Sequence, residues 1–332
     1  MLPPPPPPPS QARPARLFNA FLKTPQAILT CALLRAEAAD DGSRLVYMTE
    51  GPDAAFDRQP HEIADLRGLE TSLLKEGAVM LPHVSAVDMT LLAPRLDDND
   101  PDHLREVHAA REAYKLEMED LARQAFSGHA LKFVMAGGGL FTRKSDVPKN
   151  SPEQVQRGGP VPASGIVHSD LGQGHGDHFT KTLFAQEDGQ RRLEQAGVAI
   201  EELADCRLVI LQLWRPITDR PVEMDPLAVL DPNSLREEDL FGTGLNAQDP
   251  PDSNGLNPGR FVVHNEEHRW VSISAQRKEE VLVYAGYDSG RQPMLPLFHT
   301  SVTVPYEGEG QPEGRVSVDA VVFCWLAESA GG

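Results

Sequence analysis

The second half of the chain is a series of short apolar segments separated by loops rich in glycine, proline and asparagine. The segments are rich in valine, leucine, isoleucine and aromatic residues, which is typical of β-strands. They lie at 131–135, 140–143, 207–214, 260–263, 270–273, 280–284 and 316–325. Helices do not alternate regularly with them, as they would in a doubly wound parallel sheet. The sequence therefore predicts a mainly β protein, a sandwich or jelly roll with flanking helices, whose core spans about 130–326.

The first half contains fewer strand-like segments. Residues 1–14 form a proline tract that favours polyproline II and has nothing to pack against, so we expect a disordered arm. Residues 15–37 carry apolar side chains at helical spacing and are predicted to be mostly helical. Asp100 and Pro101 are typical of a helix start, and apolar positions then recur at helical spacing up to Gly128. We expect one domain over 15–330, with a helical N-terminal half before the β core.

Two local patterns predict irregular or capped structure. The triple glycine at 137–139 is not followed by Gly-Lys-Ser/Thr, so a turn is favoured over a phosphate-binding loop. Ser234 with Glu237 three residues later fits a capping box at the start of a short helix.

Charge and cysteine content limit the function classes. The formal net charge of −18 disfavours nucleic-acid and anionic-membrane partners, both of which require basic surfaces. The three cysteines are far apart, which predicts no disulfide framework and no zinc ribbon. No apolar run approaches the roughly 18–20 residues of a transmembrane helix, and the proline-rich start is not a signal peptide. We therefore expect a cytoplasmic protein that acts on a small molecule, and a homodimer is compatible with the sequence.

His168 and Asp170 are the first candidate metal ligands. Two residues apart on a strand, they are predicted to point to the same face. An imidazole and a carboxylate side by side are two members of the 2-His-1-carboxylate triad, which binds Fe(II) and leaves three coordination positions open. His299, which follows the strand at 280–284 and the turn at 288–290, is the predicted third ligand. His264 and His268 compete for this role but precede that strand.

Arg315 and Ser317 form a second pair with the same spacing. A guanidinium binds a carboxylate through two parallel hydrogen bonds, and a hydroxyl on the same face adds another. A 2-oxo acid that chelates the metal would reach this pair with its distal carboxylate. The order His-x-Asp, distal His, Arg-x-Ser is that of Fe(II)/2-oxoglutarate dioxygenases on a double-stranded β-helix.

The chain resembles the asaB-type hydroxylase/desaturase family, which includes a gibberellin desaturase and a component of the cephamycin 7-alpha-methoxylase system. The matching stretches are 81–87, His168/Asp170, Leu213-Trp214-Arg215-Pro216, Asp225-Pro226-Leu227-Ala228, His268-Arg269-Trp270, 280–283, Tyr287-Asp288-Ser289, His299-Thr300-Ser301 and Arg315-Val316-Ser317. The resemblance implies an oxygenase of secondary metabolism that uses Fe(II), 2-oxoglutarate and O2 to hydroxylate or desaturate a small metabolite. It also implies that His168, Asp170 and His299 bind iron, while Arg315 and Ser317 bind 2-oxoglutarate.

The segment that follows Asp170 departs from this family, because it contains His175, Asp177 and His178. Together with His168 and Asp170, these residues also fit a zinc or dinuclear metallohydrolase site. A third alternative is a cupin-like binding protein without enzymatic activity. If the oxygenase interpretation holds, the candidate substrate contacts are Arg143, His175, His178, Trp214, Arg215 and Arg269.

Overall fold

In a computed structural model, the protein consists mostly of β-strands with a few helices. The structure describes residues 31–34, 37–38, 44–45, 56–59, 61–93, 100–145, 161–163, 167–171, 175–236, 239–241, 261–262, 264–291, 297–302 and 312–327. The strands are β1 (Cys31–Leu34), β2 (Glu37–Ala38), β3 (Arg44–Leu45), β4 (Phe56–Gln59), β5 (Ile63–Asp65), β6 (Ala78–Pro82), β7 (Leu131–Lys144), β8 (Val161–Pro162), β9 (Arg207–Pro216), β10 (Leu227–Leu230), β11 (Leu240–Phe241), β12 (Phe261–Val262), β13 (Trp270–Ser272), β14 (Glu280–Asp288), β15 (His299–Ser301) and β16 (Val316–Leu326). The α-helices are α1 (Pro101–Ala125), α2 (His175–Ala185) and α3 (Glu187–Ala196), with 3-10 helices at Leu66–Gly68, Met89–Leu92, Ile200–Leu203 and Pro232–Ser234. The prediction of a mainly β chain with flanking helices is confirmed.

The main sheet has six strands in the order β6-β14-β9-β16-β7-β8, antiparallel except for the β7–β8 pair. Its central strand β9 is buried along almost its whole length, which explains its continuous apolar sequence. Alternate side chains of β9 point to opposite faces. Leu211 and Leu213 pack on Tyr114 and Met118 of α1, whereas Ile210 packs against the residues of α2 and α3. The sheet is therefore covered by helices on both faces over the first part of β9.

A second sheet has four strands in the order β15-β10-β13-β5. It faces the last part of β9, where Trp214 and Tyr284 of the main sheet share an apolar cluster with Leu227, Val229 and Ile273. The two sheets thus enclose one interior on the side of the main sheet opposite α1. Within the described ranges, three further sheets have two strands each: β1-β4, β2-β3 and β11-β12.

Helix α1 begins and ends close to the predicted positions. The Asp100 side chain accepts a hydrogen bond from the Asp102 backbone N–H, and Pro101 is the first helical residue. Tyr114, Met118 and Leu121 are buried on the face that packs on the main sheet. No helix in the described part of the chain combines the length and the apolar composition needed to cross a membrane.

The predicted helix at 15–37 is wrong at its end, where the structure describes it. Residues 31–34 and 37–38, the end of the predicted helix at 15–37, are strands β1 and β2. A short apolar run fits either a helix or a strand, and here pairing with β4 decides the outcome. The proline arm at 1–14 lies outside the described residues, and the domain limits 15–330 stay a prediction.

The triple glycine is not a turn, because β7 continues through it. The register passes from Phe141 opposite Asp319 to Gly137 opposite Val321, so three residues of β7 oppose only Ala320. Gly138, Gly139 and Leu140 therefore form a β-bulge, and a Cβ on the adjoining Gly137 would overlap the Phe323 ring. Ser234 does not start the predicted helix either. It ends the 3-10 helix Pro232–Ser234, whose N-terminus is capped by the Asp231 side chain.

Candidate metal centre and adjoining cavity

His168, Asp170 and His299 come together between the two sheets. Their ligating atoms all lie within 4.8 Å of one another, and they are the one such group of three or more among the described residues. The Asp170 carboxylate lies between the imidazoles, with Oδ1 3.4 Å from His168 Nε2 and Oδ2 3.4 Å from His299 Nε2. The ring centroids of the two histidines are 4.4 Å apart. A single cation fits among these three ligands.

A short backbone pairing positions the two histidines. His168 and His299 form an isolated antiparallel bridge, with N···O distances of 3.1 and 2.9 Å. His299 belongs to β15, which is held in the second sheet by its pairing with β10. The extended segment that contains His168 ends at Ser169, and Asp170 lies in the bend that follows. The predicted strand is thus reduced to a bridge, although the two side chains still converge.

The protonation states suit metal ligation. Burial lowers the pKa of His299, which favours the neutral imidazole that can bind a cation. Burial acts to raise the pKa of Asp170, but the neighbouring imidazoles outweigh it and hold that pKa well below the usual range. Asp170 is therefore an anion at neutral pH, and the group supplies one negative charge and a neutral nitrogen from His299.

Arg315 lies on the same side of the main sheet, directly before β16. It is 2% exposed, its guanidinium lies 5.1 Å from the centre of the Trp214 ring, and Nη1 donates to the Asp225 carbonyl. Asp225 has a positive φ of 53°, an uncommon backbone conformation for a residue other than glycine. Burial lowers the pKa of Arg315 to about 10, so the guanidinium stays protonated at neutral pH. Arg315 Nε and Ser317 Oγ are buried and have no hydrogen-bond partner among the described residues.

A cavity of about 540 Å³ adjoins Asp170. Its apolar wall comes mainly from aromatic and leucine side chains of β7, α2 and β16, and its polar wall includes Arg143, Gln212 and Asp319. Burial, followed by the nearby Asp170 charge, raises the pKa of Asp319 to about 7. The cavity is large enough for a small metabolite and is mostly apolar, with polar groups at the metal end.

Comparisons with known proteins identify a family and a shared fold for this chain. Residues 153–324, more than half of the chain, match the YDMC family model, described as an oxidoreductase/YMDC permease-like domain. The chain belongs to this family. The solved structure of the iron and alpha-ketoglutarate-dependent endoperoxidase NvfI superimposes with a TM-score of 0.61 at 21% identity, over 89% of this chain and 96% of that one. At this identity, the likeness establishes a shared fold.

Curated relatives of this YDMC-family chain carry oxygenase names. Hydroxylase/desaturase CTB9 of Cercospora beticola is 28% identical over 190 residues, 55% of this chain and 53% of the relative. Alpha-ketoglutarate-dependent dioxygenase tstK of Talaromyces stipitatus is 28% identical over 133 residues, 39% of this chain and 46% of the relative. Hydroxylase/desaturase asaB of Aspergillus flavus is 29% identical over 128 residues, 35% of this chain and 56% of the relative. The chain spans about half the length of these relatives, and the predicted resemblance to asaB-type proteins is confirmed.

The candidate substrate contacts divide into two groups in this family member. Arg143 lines the cavity beside Asp170, and Trp214 lies under the Arg315 guanidinium. Arg215 does not reach the cavity, because it follows Trp214 directly and points to the opposite face. There its Nη1 lies 2.9 Å from His83 Nδ1, and its Nη2 donates to the His83 carbonyl at 3.1 Å. Arg269 is largely exposed and forms an ion pair with Asp231 at 2.8 Å. The structure therefore places Arg215 and Arg269 away from the cavity beside Asp170, and a substrate contact by either stays a prediction.

The histidines beyond the triad lie elsewhere in the YDMC-family chain. His178 is on α2, where its Nε2 is 3.3 Å from the Thr182 hydroxyl, and it does not join the ligand group among the described residues. Residues 175 and 177 are also on α2, but their side chains lie outside the described part. His264 and His268 line a separate cavity of about 780 Å³, and His268 Nε2 is 3.1 Å from Asp239.

Sequence reasoning missed two polar residues of the site. Gln212 Nε2 donates to Asp170 Oδ2 at 2.7 Å, and Asp319 lines the cavity next to it. Both could have been found from the period of two in a strand. Gln212 is two residues before Trp214, and Asp319 is two residues after Ser317, so each shares a face with a residue already singled out.

Proposed function

We propose that this chain is a non-haem Fe(II)/2-oxoglutarate-dependent oxygenase that hydroxylates or desaturates a small metabolite of secondary metabolism in the cytoplasm. The observation that carries the proposal is the convergence of His168, Asp170 and His299, two imidazoles and one carboxylate, beside a mostly apolar cavity. The oxygenase names of the curated relatives support it. The double-stranded β-helix core at about 130–326, within one domain over 15–330, belongs to the same proposal and is supported by the likeness to NvfI.

The residues present fit both the metal and the co-substrate. Two imidazoles and a carboxylate are the donor set of the facial triad for Fe(II). The buried Arg315 Nε and Ser317 Oγ have no partner among the described residues, and together they offer donors to a carboxylate. A buried polar atom without a partner costs about 1–3 kcal/mol. Such atoms are therefore explained best by a ligand that completes their hydrogen bonds.

Each residue then has a distinct role. The triad would hold Fe(II), and Arg315 with Ser317 would bind the distal carboxylate of 2-oxoglutarate and so fix the orientation of its 2-oxo acid end. Arg143 and Asp319 would orient the substrate within the cavity, while the aromatic wall excludes water from the oxidised carbon. When bound, iron with 2-oxoglutarate and O2 supplies the oxidation of a C–H bond, coupled to the formation of succinate and CO2.

Anaerobic titration of the purified protein with Fe(II) and 2-oxoglutarate tests the proposal. The wild type should develop the weak visible charge-transfer band of a chelated 2-oxo acid, and His299→Ala should lose it. His178→Ala is the matched control, because His178 is outside the triad, and it should retain the band. A metallohydrolase would instead show no such band and would lose metal when a histidine of the 175–178 segment is replaced.

A further inference from the structure

Gln212 donates a hydrogen bond to Asp170 from the main sheet. It lies in the central strand β9 and is 4% exposed. Its Nε2 donates a hydrogen bond of 2.7 Å to Asp170 Oδ2. Along β9 it is situated between Ile210, which packs against α2 and α3, and Trp214, which packs against the second sheet. Gln212 is thus the residue of β9 that faces the candidate metal ligands.

The backbone of the neighbouring strand is shaped around this side chain. The register between β14 and β9 passes from Ala285 opposite Leu211 to Tyr287 opposite Ile210, so Gly286 is the extra residue of a β-bulge. A Cβ on Gly286 would lie 2.5 Å from Gln212 Oε1. A bulge with glycine at the point of close approach leaves room for a side chain that any other residue would displace.

The Gln212 amide also faces the second carboxylate of the cavity. The same Nε2 lies 3.5 Å from Asp319 Oδ2, a long contact. The one donor group is therefore positioned between Asp170, at the metal group, and Asp319, on the substrate wall. A donor placed between two carboxylates reduces their mutual repulsion and fixes how each is oriented.

We propose that Gln212 is a positioning residue that occupies Asp170 Oδ2, so that Asp170 binds the metal through Oδ1 alone. The inference rests on the proposed function. A facial triad with a monodentate carboxylate leaves three open coordination positions, two for the 2-oxo acid and one for O2. A carboxylate that rotated to bind through both oxygens would take one of these positions. Gln212 would prevent this by keeping one oxygen in a hydrogen bond.

Two variants test the inference from opposite sides. Gln212→Met keeps the length of the side chain and removes the donor. Gly286→Ala leaves Gln212 in the chain but places a Cβ where its carboxamide lies, so the amide has to move. Gly139→Ala is the matched control, since a Cβ there meets nothing within 4 Å. All three are titrated anaerobically with Fe(II) and 2-oxoglutarate, and thermal unfolding of the metal-free proteins is measured in parallel.

Gln212→Met should weaken Fe(II) binding by about tenfold or more, the usual effect on metal affinity of losing an outer-shell partner, and should thereby weaken 2-oxoglutarate binding and shift the visible band. Gly286→Ala should change both in the same direction to a smaller extent, whereas Gly139→Ala should match the wild type. The inference is overturned if the wild type shows the band and Gln212→Met binds with unchanged affinity and spectrum. If Gln212→Met does not fold, wild-type behaviour of Gly286→Ala overturns it instead. Absence of the band in the wild type would refute the proposed function itself.

Discussion

Replacing Arg315 with methionine should weaken the binding of 2-oxoglutarate by two to three orders of magnitude. Arg315 is 2% exposed, and although burial lowers its pKa to about 10, the guanidinium stays protonated at neutral pH in a region of low dielectric. A hydrogen bond to a charged group contributes about 1.5–3 kcal/mol, and a guanidinium forms two such bonds with a carboxylate. The loss of about 3–4 kcal/mol corresponds to the stated change in affinity at about 1.4 kcal/mol per tenfold. Ser317→Ala removes one neutral hydroxyl and should cost about fivefold.

Arg215 provides the control, because it is a second buried arginine of the same sheet on the opposite face. Arg215→Met removes the donors to the His83 ring and carbonyl and should lower the free energy of unfolding by about 2 kcal/mol. It should leave 2-oxoglutarate affinity within about twofold of the wild type, since Arg215 contacts His83 on the face opposite Arg315. Anaerobic titration of the visible band measures affinity, and urea unfolding measures stability. Equal losses of affinity in the two variants, or wild-type affinity in Arg315→Met, would refute the assignment of the anchor.

Two further predictions concern stability. Burial and then the neighbouring imidazoles lower the pKa of His61 to about 4. Between about pH 6.5 and pH 4, His61 is therefore protonated in the unfolded state but neutral in the folded state. The free energy of unfolding should fall as the pH drops through this range. After allowance for solvent screening the loss is about 2 kcal/mol, and urea unfolding of His61→Gln should show a flatter pH dependence than the wild type. Gly137→Ala should lower the free energy of unfolding by about 1–3 kcal/mol, because its Cβ would overlap the Phe323 ring. Gly139→Ala, whose Cβ meets nothing, should stay within about 0.5 kcal/mol in the same assay.

The sequence alone was sufficient to predict that the three candidate metal ligands come together, because the order of their motifs along the chain reflects the order of the strands. His168 and His299 are 131 positions apart, yet each lies next to a recognisable strand or turn signal, and the structure joins them by one antiparallel bridge. Helix α1 was equally predictable, since Asp100 and Pro101 provide a cap and a first residue that act locally. Signals of this kind depend on a few adjacent residues, so they can be interpreted without knowledge of the fold.

The errors arose where a distant partner decides the local structure. The triple glycine fits a turn equally well until β16 is known to lie beside it and to require a bulge. The run at 31–34 becomes a strand through its pairing with β4. Arg215 is a different case, because period two alone places it and its neighbour Trp214 on opposite faces of the strand. Its position away from the cavity could therefore have been predicted from the sequence.

The two faces of the main sheet differ in a way that separates stability from function. On the α1 side, β9 and β16 present apolar side chains such as Leu211 and Val322, which are fully buried in one cluster with residues of α1. On the other side the same strands present Gln212, Ser317 and Asp319, polar groups that a folded core would not select for stability alone. Because alternation sends every second residue to each face, the apolar side can stabilise strands whose other side carries a polar site. Substitutions of these polar residues on the cavity side should therefore change ligand binding before they change folding, and substitutions of the apolar residues on the α1 side should do the reverse.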